Sequence, residues 1–258
     1  MRLLRPRRAL LVLCWLGACA GRAGAADLVQ TIAAIKPAIV GVGSYQAMRS
    51  PAVSFVGTGF VVGDGLTVVT NAHVVAAASG DERKDSKEDL RVLVARGANV
   101  EAREAALLVM DKLHDLALLR MSGAPEPALR VGDSDSAREG QMLAFTGFPL
   151  TAILGFHPVT HRAMISAITV VATPAPNARS LDAKAIVQLQ RSAYPVFQLD
   201  GTAYPGFSGS PLYDPESGVV LGVINKVLNA TKESAISAPS GITYAIPAKF
   251  VQQLMAGR

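Results

Sequence analysis

Apolar side chains at Leu28, Val29, Ile32 and Ile35 fall at the spacing of one helix face, and the pattern stops at Pro37. This predicts a short amphipathic helix leading into the body of the chain. Beyond it the period shortens. Residues 38–42, 53–62, 66–70, 90–95, 105–110 and 116–121 are short β-rich runs separated by Gly, Asp, Ser and charged clusters. A second set follows at 142–148, 163–172, 185–189, 196–199, 219–227 and 242–246. Short strands at such spacing predict an all-β barrel or sandwich architecture. The chain closes with Pro247 at a predicted helix start and Phe250, Val251, Leu254 and Met255 on one face. Residues 79–89 mix both charge signs without an apolar side chain, which predicts a solvated loop. Residues 124–137 carry Pro125, Pro127, Gly132 and two Asp-Ser steps, the most linker-like stretch after the leader.

Half of the 258 residues are apolar and 17% are charged, a balance that excludes a disordered or collagen-like chain. The net charge of +5 would suggest an anionic partner if it were spread over the body. It is not. Arg2, Arg5, Arg7, Arg8 and Arg22 precede the first acid, so from Asp27 onward 20 basic residues face 20 acidic ones. The same leader has an apolar run from Ala9 to Leu16 and small residues from Gly17 to Ala26, the three-part pattern of a secretory signal peptide. The run is too short to span a bilayer. It also lacks the serines and amphipathicity of a mitochondrial transit peptide. Cleavage after Ala20 or Ala25 would release a soluble chain, whereas Leu16-Gly17-Ala18-Cys19 reads as a lipobox that would anchor the chain through Cys19. Both cysteines, Cys14 and Cys19, lie in the leader, so the soluble mature chain needs neither disulfide nor metal–thiolate site. The expected location is periplasmic or secreted.

Three segments place a reactive side chain where it needs explaining. In Thr70-Asn71-Ala72-His73-Val74-Val75 a histidine follows a strand among small residues. In His114-Asp115-Leu116-Ala117-Leu118-Leu119 a carboxylate immediately precedes an apolar strand. In Pro205-Gly206-Phe207-Ser208-Gly209-Ser210-Pro211 glycines flank a serine, so backbone N–H groups can converge while the hydroxyl projects. Serine needs an adjacent base to act as a nucleophile, and the base needs an acid to hold its tautomer. The segments supply these parts in the order His, Asp, Ser.

On these motifs the chain resembles a trypsin-like serine peptidase, most closely the bacterial HtrA/Deg type, and Gly241-Ile242-Thr243-Tyr244-Ala245-Ile246-Pro247 resembles the end of that protease domain. The resemblance covers about residues 37–250. It implies an all-β fold of two perpendicular six-stranded β-barrels, chymotrypsin-like, with short N- and C-terminal helices. The corresponding division is a signal peptide at 1–26, helix and first barrel at 27–125, then linker, second barrel and closing helix at 126–258. The implied catalytic residues are His73, Asp115 and Ser208, with the backbone N–H groups of Gly206 and Ser208 as oxyanion hole. Substrate-binding residues are expected at Thr202, Tyr204, Phe207 and Asn225, with the pocket for the P1 side chain between 202–204 and 223–226. Thr202 is not an acid, so a small or medium apolar P1 residue is favoured over Arg or Lys.

Three departures from the pattern matter. Phe207 stands where the family has Asn or Asp, Ser210 where it has a second glycine, and only Ala248–Arg258 follow the last barrel motif, without the PDZ domain usual in HtrA proteins. The Phe207 ring is expected to point into the cleft and narrow the P1 side. The rival reading is a catalytically silent peptide- or partner-binding protein on the same fold, motivated by Phe207 and Ser210. Retention of all three triad groups argues against it. Gly57-Thr58-Gly59 lacks the spacing of a dinucleotide-binding loop, and His157 and His161 are separated by Pro158 and lack an HExxH glutamate, so no phosphate or zinc site is expected. The expected partners are protein or peptide substrates, with no cofactor, metal or nucleic acid.

Overall fold

The computed structural model describes residues 28–80, 88–97, 99–171, 193–225 and 241–257. The predicted first helix is α1, Leu28–Ile35, continued by one 3-10 turn at Lys36–Ala38 that contains the helix-stopping Pro37. Its buried stripe is Thr31 and Ile35, while Val29, expected on the same face, is 69% exposed. At about 100° per residue Val29 turns away from the line through 28, 31 and 35, which packs on the body.

Six strands follow: β1 Ile39–Tyr45, β2 Val53–Val62, β3 Thr67–Thr70, β4 Asp89–Arg96, β5 Asn99–Asp111 and β6 Leu116–Met121. They close in the order β1-β2-β3-β6-β5-β4. The second barrel holds β7 Met142–Gly147, β8 Val159–Val171, β9 Tyr194–Leu199, β10 Pro211–Tyr213, β11 Val220–Ile224 and β12 Thr243–Pro247, in the equivalent order β10-β11-β12-β9-β8-β7. All pairings are antiparallel. The architecture is therefore the two six-stranded barrels expected of the chymotrypsin-like fold. The candidate strand at 185–189 lies outside the described residues. The member of the second barrel that the pattern does not reveal is β10, because three residues opening on Pro211 read as turn.

Three short α-helices, α2 Ala72–Ala78, α3 Thr151–Leu154 and α4 Ala248–Ala256, and a 3-10 turn at Ser134–Ser136 complete the described elements. Among the described residues no helix is long and apolar enough to cross a membrane. Helix α4 begins after Pro247 as expected, burying Phe250 and Val251.

Apolar burial divides into three clusters. One fills the first barrel around Val40, Val68, Val92 and Leu119. Another fills the second around Leu143, Phe145, Phe197 and Phe207. The third joins residues of both barrels, including Phe60, Leu118, Phe148, Tyr213 and Val223, with Ile35 of α1 and Phe250 of α4. Each such fully buried large side chain contributes about 1.5–3 kcal/mol, so the seam between the barrels is itself a core. The linker is stitched to both sides of it, with the Leu129 N–H donating to the Val61 carbonyl (2.8 Å) and the Gly132 N–H to that of Val220 (2.8 Å).

Candidate active site

Strand β3 ends at Thr70, and the chain turns at Asn71 into α2, whose second residue is His73. Asp115 precedes β6, the strand paired with β3, so sheet pairing brings the two side chains together across 42 residues. The Asp115 carboxylate uses both oxygens on one residue: Oδ1 accepts the His73 backbone N–H at 2.8 Å and Oδ2 lies 2.6 Å from His73 Nδ1. An ionised carboxylate only accepts, so Nδ1 is the protonated nitrogen and Nε2 is left as the base. Asp115 has φ 51°, a left-handed conformation costing a non-glycine residue about 1–2 kcal/mol. Its carbonyl is correspondingly clamped, accepting from the Ala72 N–H at 3.1 Å and from Asn71 Nδ2 at 3.0 Å. His73 remains 37% exposed along its side chain, open to a reactant.

His114 precedes Asp115 in the chain and meets Tyr194 edge-on at 4.8 Å between centroids. His114 Nδ1 is 2.5 Å from Asp111 Oδ2, and its ring stacks on Phe250 at 3.9 Å between centroids. Burial, reinforced by the negative charges of Asp115 and Asp111, raises the Tyr194 hydroxyl above its ordinary pKa and keeps it neutral.

The Ser208 turn belongs to the second barrel yet is held by the first. The Thr58 N–H on β2 donates to the Ser208 carbonyl at 2.9 Å, and Thr58 Oγ1 donates to the Gly206 carbonyl at 2.7 Å. A Cβ on Gly57 would lie 2.7 Å from Val74 Cγ2 and 3.1 Å from the Ser208 carbonyl oxygen, so this glycine permits the serine turn and the helix of His73 to close on one another. Gly206 and Gly209 adopt φ 103° and 88°, and a Cβ at either would meet a backbone oxygen within 2.2 Å. Within the turn the Phe207 N–H goes to Tyr204, the Ser210 N–H to Phe207 and the Gly209 N–H to Ile224. The N–H groups of Gly206 and Ser208 have no acceptor among the described residues. The Ser208 and His73 side chains share no described hydrogen bond, and in substrate-free sites such contacts commonly tighten only on binding.

The Phe207 ring does not point into the cleft. It is fully buried, in edge contact with Phe145 (5.1 Å) and His161 (4.9 Å). A ring without accessible surface cannot contact substrate, so the expected role of Phe207 in substrate binding is withdrawn. Apolar burial outweighs what the ring would gain on a wet rim. Ser210 is also buried, and its hydroxyl occupies the place where a Cβ on Gly147 would stand, 2.0 Å away. Glycine at 147 is what admits a side chain at 210.

Thr202, Tyr204 and Asn225 are half-buried beside the same turn. Thr243 of β12 fixes the first two by donating to the Gly201 carbonyl and accepting the Ala203 N–H (3.0 Å). The Asn225 N–H donates to the Tyr244 carbonyl at 2.9 Å, while residue 226 lies outside the described residues. His161 comes from β8 to place Nδ1 3.0 Å from the Thr202 carbonyl. The strand register, His161 opposite Phe145, carries it there. Sequence reasoning also passed over Thr58, visible only as the middle of a Gly-x-Gly.

The family model for the trypsin-like peptidase domain matches residues 57–223. The chain belongs to that family. Curated relatives of this trypsin-like domain include serine protease HTRA1A of Danio rerio, 28% identical over 238 residues that cover 90% of this chain and 40% of the relative. A probable periplasmic serine endoprotease DegP-like from Halomonas elongata is 30% identical over 192 residues, covering 74% of this chain and 32% of the relative. The chain thus spans two fifths or less of these relatives' length. Among solved structures, the HtrA-type protease AlgW with decapeptide superposes with TM-score 0.63 at 21% identity, covering 89% of this chain and 66% of that one. The Rv3671c protease, inactive form, gives 0.62 at 23%, covering 88% and 91%. Both share the trypsin-like fold with this chain.

Proposed function

We propose that this trypsin-like domain is a serine endopeptidase that cleaves proteins or peptides by acyl transfer. Ser208 Oγ attacks the scissile carbonyl carbon and its proton passes to His73 Nε2. The resulting tetrahedral oxyanion is held by the Gly206 and Ser208 N–H groups. As the C–N bond breaks, His73 returns the proton to the leaving amine, and water repeats the sequence on the acyl-enzyme. Asp115 holds the imidazole tautomer and stabilises the imidazolium, and each oxyanion donor is worth about 3–4 kcal/mol.

The observation that carries this reading is the two-point clasp of Asp115 on His73, set in the same fold as a serine turn whose Gly206 and Ser208 N–H groups have no acceptor among the described residues. The catalytically silent alternative was motivated by Phe207 and Ser210, above all by a Phe207 ring occluding the oxyanion site, and both side chains are buried in the barrel. The peptide-bound AlgW structure supports peptide substrates, and Thr202, Tyr204 and Asn225 form the P1 side, favouring small or medium apolar residues. Export by the segment 1–26 to the periplasm or beyond agrees with the periplasmic relatives. An alkyl fluorophosphonate probe should label the mature protein and fail to label Ser208→Ala. Absence of labelling in the parent protein would refute the peptidase reading.

A further inference from the structure

An oxyanion hole made of backbone N–H groups works only if each peptide plane is held in the orientation that aims its N–H outward. In a trans peptide the carbonyl points opposite to the N–H, so the group that binds the carbonyl aims the donor. The Ser208 N–H is aimed by the turn itself, since the carbonyl of the same peptide, on Phe207, accepts the Ser210 N–H at 2.9 Å. The Gly206 N–H has no such local support. Its own peptide is anchored by the Leu150 N–H on the Pro205 carbonyl at 2.9 Å. The following plane, across a glycine at φ 103°, is anchored by the Thr58 hydroxyl on the Gly206 carbonyl at 2.7 Å. Glycine is free to rotate, so both planes must be held for the donor to stay put.

Thr58 is placed for this with little freedom. It is fully buried. Its hydroxyl donates to Gly206 and accepts the Phe148 N–H at 3.0 Å, and Phe148 lies two residues from Leu150. Leu150 itself sits at φ 46°, an uncommon conformation for a bulky residue. The Thr58 backbone is fixed in turn, its N–H on the Ser208 carbonyl and its carbonyl accepting Thr70 Oγ1 at 2.7 Å. One hydroxyl thus ties the serine turn to the loop that supplies the other anchor.

We propose that Thr58 is a positioning residue for the peptidase reaction: its hydroxyl fixes the plane after Gly206 and, by holding the Phe148 N–H, keeps the Leu150 N–H on the Pro205 carbonyl, the anchor that aims the Gly206 N–H at the developing oxyanion. This rests on the peptidase reading above. The anchor matters most when negative charge appears on the substrate oxygen, so its loss is felt in the transition state rather than in substrate binding.

The test compares Thr58→Val, which keeps shape and loses both hydrogen bonds, with Thr58→Ser, which keeps the hydroxyl. Cleavage of a chromogenic peptide should lose about 10- to 100-fold in kcat in Thr58→Val, short of the 10²–10³ loss on deleting a donor outright, with KM changed by less than about twofold. Thr58→Ser should stay within about threefold of the parent. A peptide aldehyde, whose hemiacetal oxygen occupies the same hole, should lose affinity for Thr58→Val in parallel with kcat. Should Thr58→Val not fold, Thr58→Cys is read in its place, since a thiol keeps the volume but donates weakly. An unchanged kcat in the valine variant, an equally impaired serine variant, or a loss confined to KM would each overturn the role of Thr58. Failure of the parent protein to take a fluorophosphonate would instead strike the peptidase reading, before any variant is compared.

Discussion

Replacing Phe207 by Asn restores the residue type usual before the family's nucleophile, and here it should damage the protein. The ring is fully buried in the second barrel, touching Phe145 and His161 at 5.1 and 4.9 Å between centroids. Deleting such a ring costs about 3–5 kcal/mol in lost burial and residual cavity. A buried amide without a partner adds about 1–3 kcal/mol. The combined loss of at least about 4 kcal/mol corresponds, for a chain of this size, to a fall in Tm of roughly 10 °C or more. Urea denaturation of the mature chain, followed by far-UV circular dichroism, measures this directly, with Phe207→Leu as the milder comparison. Cleavage of a P1-varied peptide set, run well below the transition, should show no broadening. An Asn variant within about 1 kcal/mol of the parent that accepts bulkier P1 residues would refute the burial argument and return the ring to the cleft.

Two further expectations follow from the His73–Asp115 clasp and from the β2–β3 turn. His73→Ala and Asp115→Asn should each lower kcat without multiplying in the double variant, because the pair acts as one unit; independent losses would count against that coupling. Asp64 accepts the Leu66 and Thr67 N–H groups and pairs with Arg120, which lowers its pKa from 3.8 to about 2, the Leu66 backbone hydrogen bond contributing most. Its contribution to stability is therefore present above about pH 4 and disappears as pH falls through about 2, and it is small because the side chain is half-exposed. An NMR titration of the Asp64 carboxyl with a midpoint near 3.8 would contradict this.

Much of the fold is legible in the sequence because strands with one face in a barrel core leave short apolar runs between turn residues. Val53–Val62 and Leu116–Met121 are read to the residue. What escapes is decided by contacts distant in sequence. Strand β10 is three residues long and exists by pairing with β7 and β11. Helix α2 is hidden by Val74 and Val75, β-branched residues that read as strand until packing on β1 and β2 chooses otherwise. In the candidate site, His73 and Asp115 stand out because motif and chemistry coincide. Thr58, 148 residues from Gly206, carries no local mark. The direction of the Phe207 ring is not legible locally because the cavity that receives it is built from β7 and β8, strands distant in sequence.

Two of the hydrogen bonds that hold the serine turn come from Thr58 of β2, so on the peptidase reading catalytic competence belongs to the docked pair of barrels and to neither alone. In thermodynamic terms, activity is linked to a docking equilibrium as well as to the folding of each half. Conditions that loosen the seam while leaving both sheets closed would silence the protein with its circular dichroism intact. Conversely, two fragments cut within 124–137 would form a split reporter, in which restored peptide cleavage measures reassociation through the shared core of Phe60, Phe148 and Tyr213.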